Sequence, residues 1–187
     1  RMHRRSTVLF ARYGLSLSAY YRGEFEEAGR ELEDIASGLR SLGMVIPAIE
    51  TLWKAAECAL IQGDIARFER LADALTEEDL VRGAEVHRAE RYTMEGLKAI
   101  LGGNAQNARS HFAAAMEASE TSIHSDRVRP HVVFSAVMDL TGNHEESSQL
   151  LRRLRGLLQP LSRKAELSSM EFRHGLLCKS LAKATYR

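Results

Sequence analysis

The chain has 187 residues, 44% of them hydrophobic, and its 26 basic and 25 acidic side chains leave a net charge of +1, the composition of a soluble chain with an ordinary buried core. No apolar run approaches the roughly 20 residues that cross a bilayer, and RMHRRSTVLF at the start is followed by no long apolar stretch or cleavage signal. Membrane-spanning and exported classes are therefore excluded, and the expected location is cytoplasmic.

Two cysteines, Cys58 and Cys178, lack CxxC spacing and suit a reducing compartment better than a disulfide framework. Each is expected as a small buried apolar side chain. Ala, Leu, Glu, Arg and Ser dominate, prolines number three, and runs of Val, Ile and Thr are few, so the expected class is all-α.

In chain order, the first expected helix pair covers about 5–40 and turns at Gly23-Glu24-Phe25-Glu26-Glu27-Ala28, after which Ala28, Leu32 and Ile35 form an apolar stripe. The second, 47–78, carries Leu52, Ala55, Ala56 and Ala59 before the turn Gly63-Asp64-Ile65 and Phe68, Ala72 and Leu75 after it. Thr76 with Asp79 three residues on reads as a capping box for a short extra turn. The third, 84–120, has Tyr92, Gly96 and Ala99, then Gly103-Asn104-Ala105, then Ala108, Phe112 and Ala115. The fourth, 128–159, turns at Gly142-Asn143-His144 and continues through Ser147, Leu151 and Leu154.

The four glycines recur at intervals of 40, 40 and 39 residues, a constant period that marks a repeat protein. Each Gly can take the left-handed conformation that ends a helix, and the Asp, Asn or Glu after it can cap the next. Extra residues fall between repeats, around Gly38–Pro47, Thr76–Arg82 and Thr121–Pro130. Pro47, Pro130 and Pro160 stand at or just before the first helix of a unit, where a fixed φ and a missing N–H cost least. A last helix, 161–186, shows a stripe of Leu167, Met170, His174, Leu177, Leu181 and Ala184 with no partner helix after it.

The third unit resembles the tetratricopeptide pattern best: Tyr92 at the first large position, Gly96 at the close helix contact, Gly103 at the turn, and Ala108, Phe112 and Ala115 in the second helix. Arg12 and Ser16 stand where the family has a large residue and Gly, Ser147 replaces its Ala, and the period is near 40 where the family's is about 34. The degenerate 40-residue pair also resembles the superhelical sensor domain of large LuxR-type bacterial regulators, such as the maltose-regulon activator. That resemblance implies a right-handed superhelix of about four helix-pair repeats with a C-terminal capping helix, one domain over 1–187. A first residue Arg1 in place of Met suggests a fragment of a longer regulatory protein whose ATP-binding and DNA-reading parts are not visible here.

The resemblance further implies a concave groove lined by first helices. Its positions fall on Tyr13, Leu17, Tyr20 and Tyr21 in the first repeat, Glu50, Trp53, Glu57 and Leu60 in the second, Glu90, Thr93 and Leu97 in the third, and Arg129, Val132 and Asp139 in the fourth. Aromatic side chains give much contact area at little entropic cost, so Tyr13, Tyr20, Tyr21 and Trp53 are the natural anchors for a protein, peptide or small effector. Burial of a lone Trp or Tyr in an amphipathic helix is the competing reading.

No P-loop, no GxGxxG after a strand and no nucleophile-elbow context occurs, and the seven histidines form neither HExxH nor a recognisable Cys and His ligand set. Catalysis, cofactors and metals are thus not expected. Residues 152–187 hold nine basic side chains against two acidic ones, which opens a second reading: nucleic-acid binding through Arg152, Arg153, Arg155, Arg163, Lys164, Arg173, Lys179, Lys183 and Arg187. The final helix, with Phe172 and Leu176 on its flank, is also expected to mediate a homodimer or a contact with a further repeat.

Overall fold

The structure, a computed structural model, describes residues 2–82, 88–121, 128–158 and 174–183. Among these the secondary structure is helix and tight turn, with no strand. The helices are α1 (Met2–Tyr21), α2 (Phe25–Ser41), α3 (Val45–Gln62), α4 (Ile65–Arg82), α5 (Arg88–Leu101), α6 (Ala105–Thr121), α7 (Val128–Leu140) and α8 (His144–Leu158). Residues 174–183 are also helical and are called α9. Contacts divide the chain into two compact units, Arg1–Glu78 and Asp79–Arg187.

The four expected turns share one hydrogen-bond pattern. At Gly63, φ is 76°; its N–H bonds the Leu60 carbonyl at 3.0 Å, and the Asp64 N–H reaches back to Ala59 at 3.0 Å. The same two bonds close the helices at Gly23, Gly103 and Gly142, all at positive φ. This Schellman arrangement satisfies carbonyls that a helix end leaves open, and an L side chain at that φ is strained. The carbonyl after each Gly then accepts the first bond of the next helix, so only two or three residues separate antiparallel neighbours.

Capping follows residue type. Asp64 and Asn104 accept the backbone N–H groups of Arg67 and Asn107 through their side chains, at 3.1 and 3.0 Å. Glu24 makes no such cap. Its carboxylate is taken by Arg22 in a two-point contact of 2.9 and 2.6 Å, which also draws the Glu24 carboxyl below its ordinary pKa range.

Three local expectations are corrected. A fifth turn of identical form sits at Gly43, φ 74°, so α2 runs on through Gly38 to Ser41 and Pro47 falls inside the first turn of α3. No separate turn begins at Thr76: α4 is continuous from Ile65 to Arg82, and the Thr76 hydroxyl donates to the Ala72 carbonyl at 3.0 Å. Pro130 is the third residue of α7. Pro160 and the expected helix from 161 lie outside the described residues except at 174–183.

In the first unit α2 packs between α1 and α3. Ala28, Leu32, Ile35, Ala36 and Leu39 form its buried stripe. Ion pairs tie α2 to α1 and α4: Arg12 of α1 reaches Glu31 at 2.7 Å, and Arg67 and Arg70 of α4 share Glu33 at 2.5 and 2.8 Å. In the second unit, α5 and α6 meet at Gly96, where an added Cβ would stand 2.7 Å from the Phe112 ring. The close contact expected of Gly96 is thus present. Phe112 in turn stacks on Phe134 of α7 with ring centroids 5.2 Å apart. Arg109 and Arg153 pair with Glu146 and Glu120, joining α6 to α8 in both directions.

Candidate functional site

Eight of the residues expected to line a groove, Tyr13, Leu17, Tyr20, Tyr21, Glu50, Trp53, Glu57 and Arg129, separate by burial. In α1, Tyr13 is half-buried and packs on the cluster of Ile35, Leu39 and Ala48, and Leu17 is half-buried too. Tyr20 is fully buried, its ring edge-on to both Tyr21 and Phe25 at about 5.3 and 5.4 Å. Tyr21 itself is 55% exposed.

In α3, Glu50 is exposed whereas Trp53 and Glu57 are buried, at 1% and 3% exposure. Every residue from Thr51 to Leu60 is buried. The charged members of that run neutralise each other: Lys54 Nζ donates to Glu57 Oε2 at 3.0 Å and lies 4.7 Å over the Tyr20 ring, a cation–π contact in a dry setting. Arg129 in the second unit is likewise buried.

Tyr20, Trp53, Glu57 and Arg129 are therefore interior side chains, not the open groove lining expected of them. Distance from the turn glycine fixes the position of a residue along its helix but not how many neighbours cover that helix. α3 is apolar around most of its circumference, the pattern of a helix buried on all faces.

What the first unit does expose is a set of side chains outside the expected groove positions: Val8 at 53%, Phe10 at 45%, Leu15 at 72% and Ile46 at 50%, besides Tyr21. Val8 and Leu15 are seven residues apart and share one stripe of α1. Beside them Arg4, Arg5, Val8, Leu9, Gly38, Ser41 and Leu42 line an open groove of about 510 Å³ between the start of α1 and the end of α2. Gly38 makes that approach possible, since a Cβ there would meet Leu9 at 2.9 Å. The heptad spacing of Val8 and Leu15 was visible in the sequence; the lack of cover over it was not.

The second unit holds a polar cluster that the sequence reading missed. Asp139 lies in the last turn of α7, and its Oδ2 stands 3.3 Å from His174 Nε2 of α9. Its other oxygen is 3.1 Å from Nδ1 of His144, the first residue of α8. Cys178 Sγ lies 3.8 Å from His174 Nε2. A spacing of four residues on a helix puts His174 and Cys178 on one face, a signal available from sequence, whereas their meeting with Asp139 is tertiary.

The two cysteines also differ. Cys58 is buried as expected, and desolvation pushes its thiol up to about 12. Cys178 is only half-buried and faces the cluster; burial, then the charge of Asp139, pushes it up to about 11. Neither is a thiolate at neutral pH, so neither is a ready nucleophile in the free protein.

Of the basic C-terminal residues, Arg152, Arg153, Arg155, Lys179 and Lys183 are exposed, and Arg153 is engaged by Glu120. Arg163, Lys164, Arg173 and Arg187 lie outside the described residues, as does Phe172; Leu176 is half-buried. No described helix is long and apolar enough to cross a membrane. No family model, no curated protein and no solved structure matches this chain.

Proposed function

We propose that the chain is a non-catalytic binding scaffold of tetratricopeptide-like helix pairs wound into a right-handed superhelix, serving as the protein-binding part of a larger bacterial regulatory protein. The helix-pair part of this reading is supported by the repeated Gly turn with its identical hydrogen bonds. The binding part rests on one observation: α1 leaves Val8 and Leu15 more than half exposed on one stripe, and Val8 lines an apolar groove together with Arg4 and Arg5. Large exposed apolar groups on one helix face are costly in a free protein and favour a partner. Charge complementarity selects an amphipathic helical segment carrying acidic residues, its apolar face on Val8 and its carboxylates on the two arginines.

The test uses two model peptides, an amphipathic helix of Leu and Glu and its Leu and Lys counterpart, titrated onto the full chain. The Leu/Glu peptide is expected to bind more tightly, and Val8→Glu to weaken it about tenfold, roughly 1.4 kcal/mol, with helicity unchanged. Equal binding of both peptides, or binding indifferent to Val8→Glu and Leu15→Glu, rejects this face as the docking site.

A further inference from the structure

We propose that Asp139, His174 and Cys178 form a site for a divalent transition-metal ion, zinc foremost, in which His144 holds the carboxylate through its second oxygen. One oxygen, one nitrogen and one sulfur atom from these three side chains all lie within 4.8 Å of one another. Ligands bound tetrahedrally to one zinc at its usual bond lengths stand about 3.3 to 3.6 Å apart. Two of the three separations, 3.3 Å from Asp139 to His174 and 3.8 Å from His174 to Cys178, are within a few tenths of an ångström of that, and the third is no more than 4.8 Å.

The backbone holds these donors in place. Asp139 sits in the last turn of α7, where its carbonyl accepts the Gly142 N–H at 3.2 Å, and the same tight turn delivers His144 two residues later. Leu177 and Leu181, buried on the same side of α9, fix the helix that carries the other two ligands. Half-burial is suitable as well: His174 is 16% and Asp139 29% exposed at the side chain, dry enough to strengthen ligation and open enough for entry.

Charge supplies the remaining reason. A dication accepts a carboxylate and a thiolate as ligands at once, because both bring negative charge to it. Binding would release the Cys178 proton to solvent, and the oxygen, nitrogen and sulfur donors suit zinc or cobalt rather than magnesium or calcium. Three protein ligands leave a fourth position to water or to a partner's side chain.

The full chain, stripped with EDTA, is titrated with Co²⁺ and then with Zn²⁺. One equivalent of Co²⁺ should give a thiolate-to-metal charge-transfer band that Zn²⁺ displaces. Cys178→Ser should abolish the band, and Cys58→Ser should leave it. Asp139→Asn and His174→Gln should each lower Zn²⁺ affinity at least tenfold, and His144→Gln by roughly 10- to 100-fold if it orients the carboxylate. Circular dichroism of each variant in EDTA separates lost ligation from lost fold, and the near-isosteric Cys178→Ser carries the test should the others unfold. No band at one equivalent, or a band that survives Cys178→Ser, overturns the site.

Discussion

α1 and α3 occupy the same place in successive helix pairs, each entering one of the Gly turns, yet they end in opposite environments. α3 is enclosed along Thr51–Leu60, taking in a Trp, a Lys and a Glu, whereas α1, among its described side chains, buries only Ser16, Ala19 and Tyr20 and turns Val8, Phe10 and Leu15 outward. Local repeat chemistry thus sets where a helix starts and stops, and the number of neighbours decides what each of its faces does.

Substituting an enclosed large side chain of α3 and the most exposed large apolar one of α1 should show the widest gap. Trp53→Ala empties an enclosed site and is expected to cost about 3–5 kcal/mol. Leu15→Ala, at 72% exposure, should fall within about 0.5 kcal/mol of wild type. Urea unfolding of both variants checks this, and equal midpoints would mean that α3 is no better enclosed than α1.

Glycines sharpen the same contrast with a change of sign. Gly14 on α1 has nothing within 4 Å of where a Cβ would stand, so Gly14→Ala should stabilise by about 0.5–1 kcal/mol through helix propensity alone. Gly29 on α2 faces α3, and its Cβ would press on Cys58 Cβ at 3.0 Å and on the Arg67 guanidinium at 3.2 Å. Cys58 Cβ cannot swing aside, so Gly29→Ala is expected to destabilise by roughly 1–2 kcal/mol. Thermal melts that move in the same direction for both would contradict this packing.

The turns were legible because each is specified by two adjacent residues: a Gly that tolerates positive φ and a following residue whose backbone starts the next helix. Gly43 went unread because Met44 after it carries no capping signature, although its hydrogen bonds match the other four. Burial of Trp53 and Glu57 was not legible from the repeat register, since it depends on how many helices surround α3. The cluster at Asp139 was half legible: His174 and Cys178 show ligand spacing within one helix, but their carboxylate comes from a helix 35 residues earlier in sequence, at Asp139.

The smallest effect expected concerns how dry α3 is at Cys58. Burial raises that thiol from 9.0 to about 12, so the folded chain keeps the proton where the unfolded chain loses it. A folded pKa above the unfolded one contributes stability that is complete below pH 9 and is lost as pH climbs towards 12. Between pH 9 and 10 the loss from this group alone should be about 1 kcal/mol. Cys58→Ala keeps the Cβ and removes only the sulfur, so it should be somewhat less stable than wild type at pH 7 but lose less between pH 9 and 10. The quantity to measure is the difference between the two proteins' denaturant midpoints across that interval, which cancels the titration of every other group. Parallel midpoints would show that water reaches Cys58 and that this part of α3 is less enclosed than its neighbours Trp53 and Leu60.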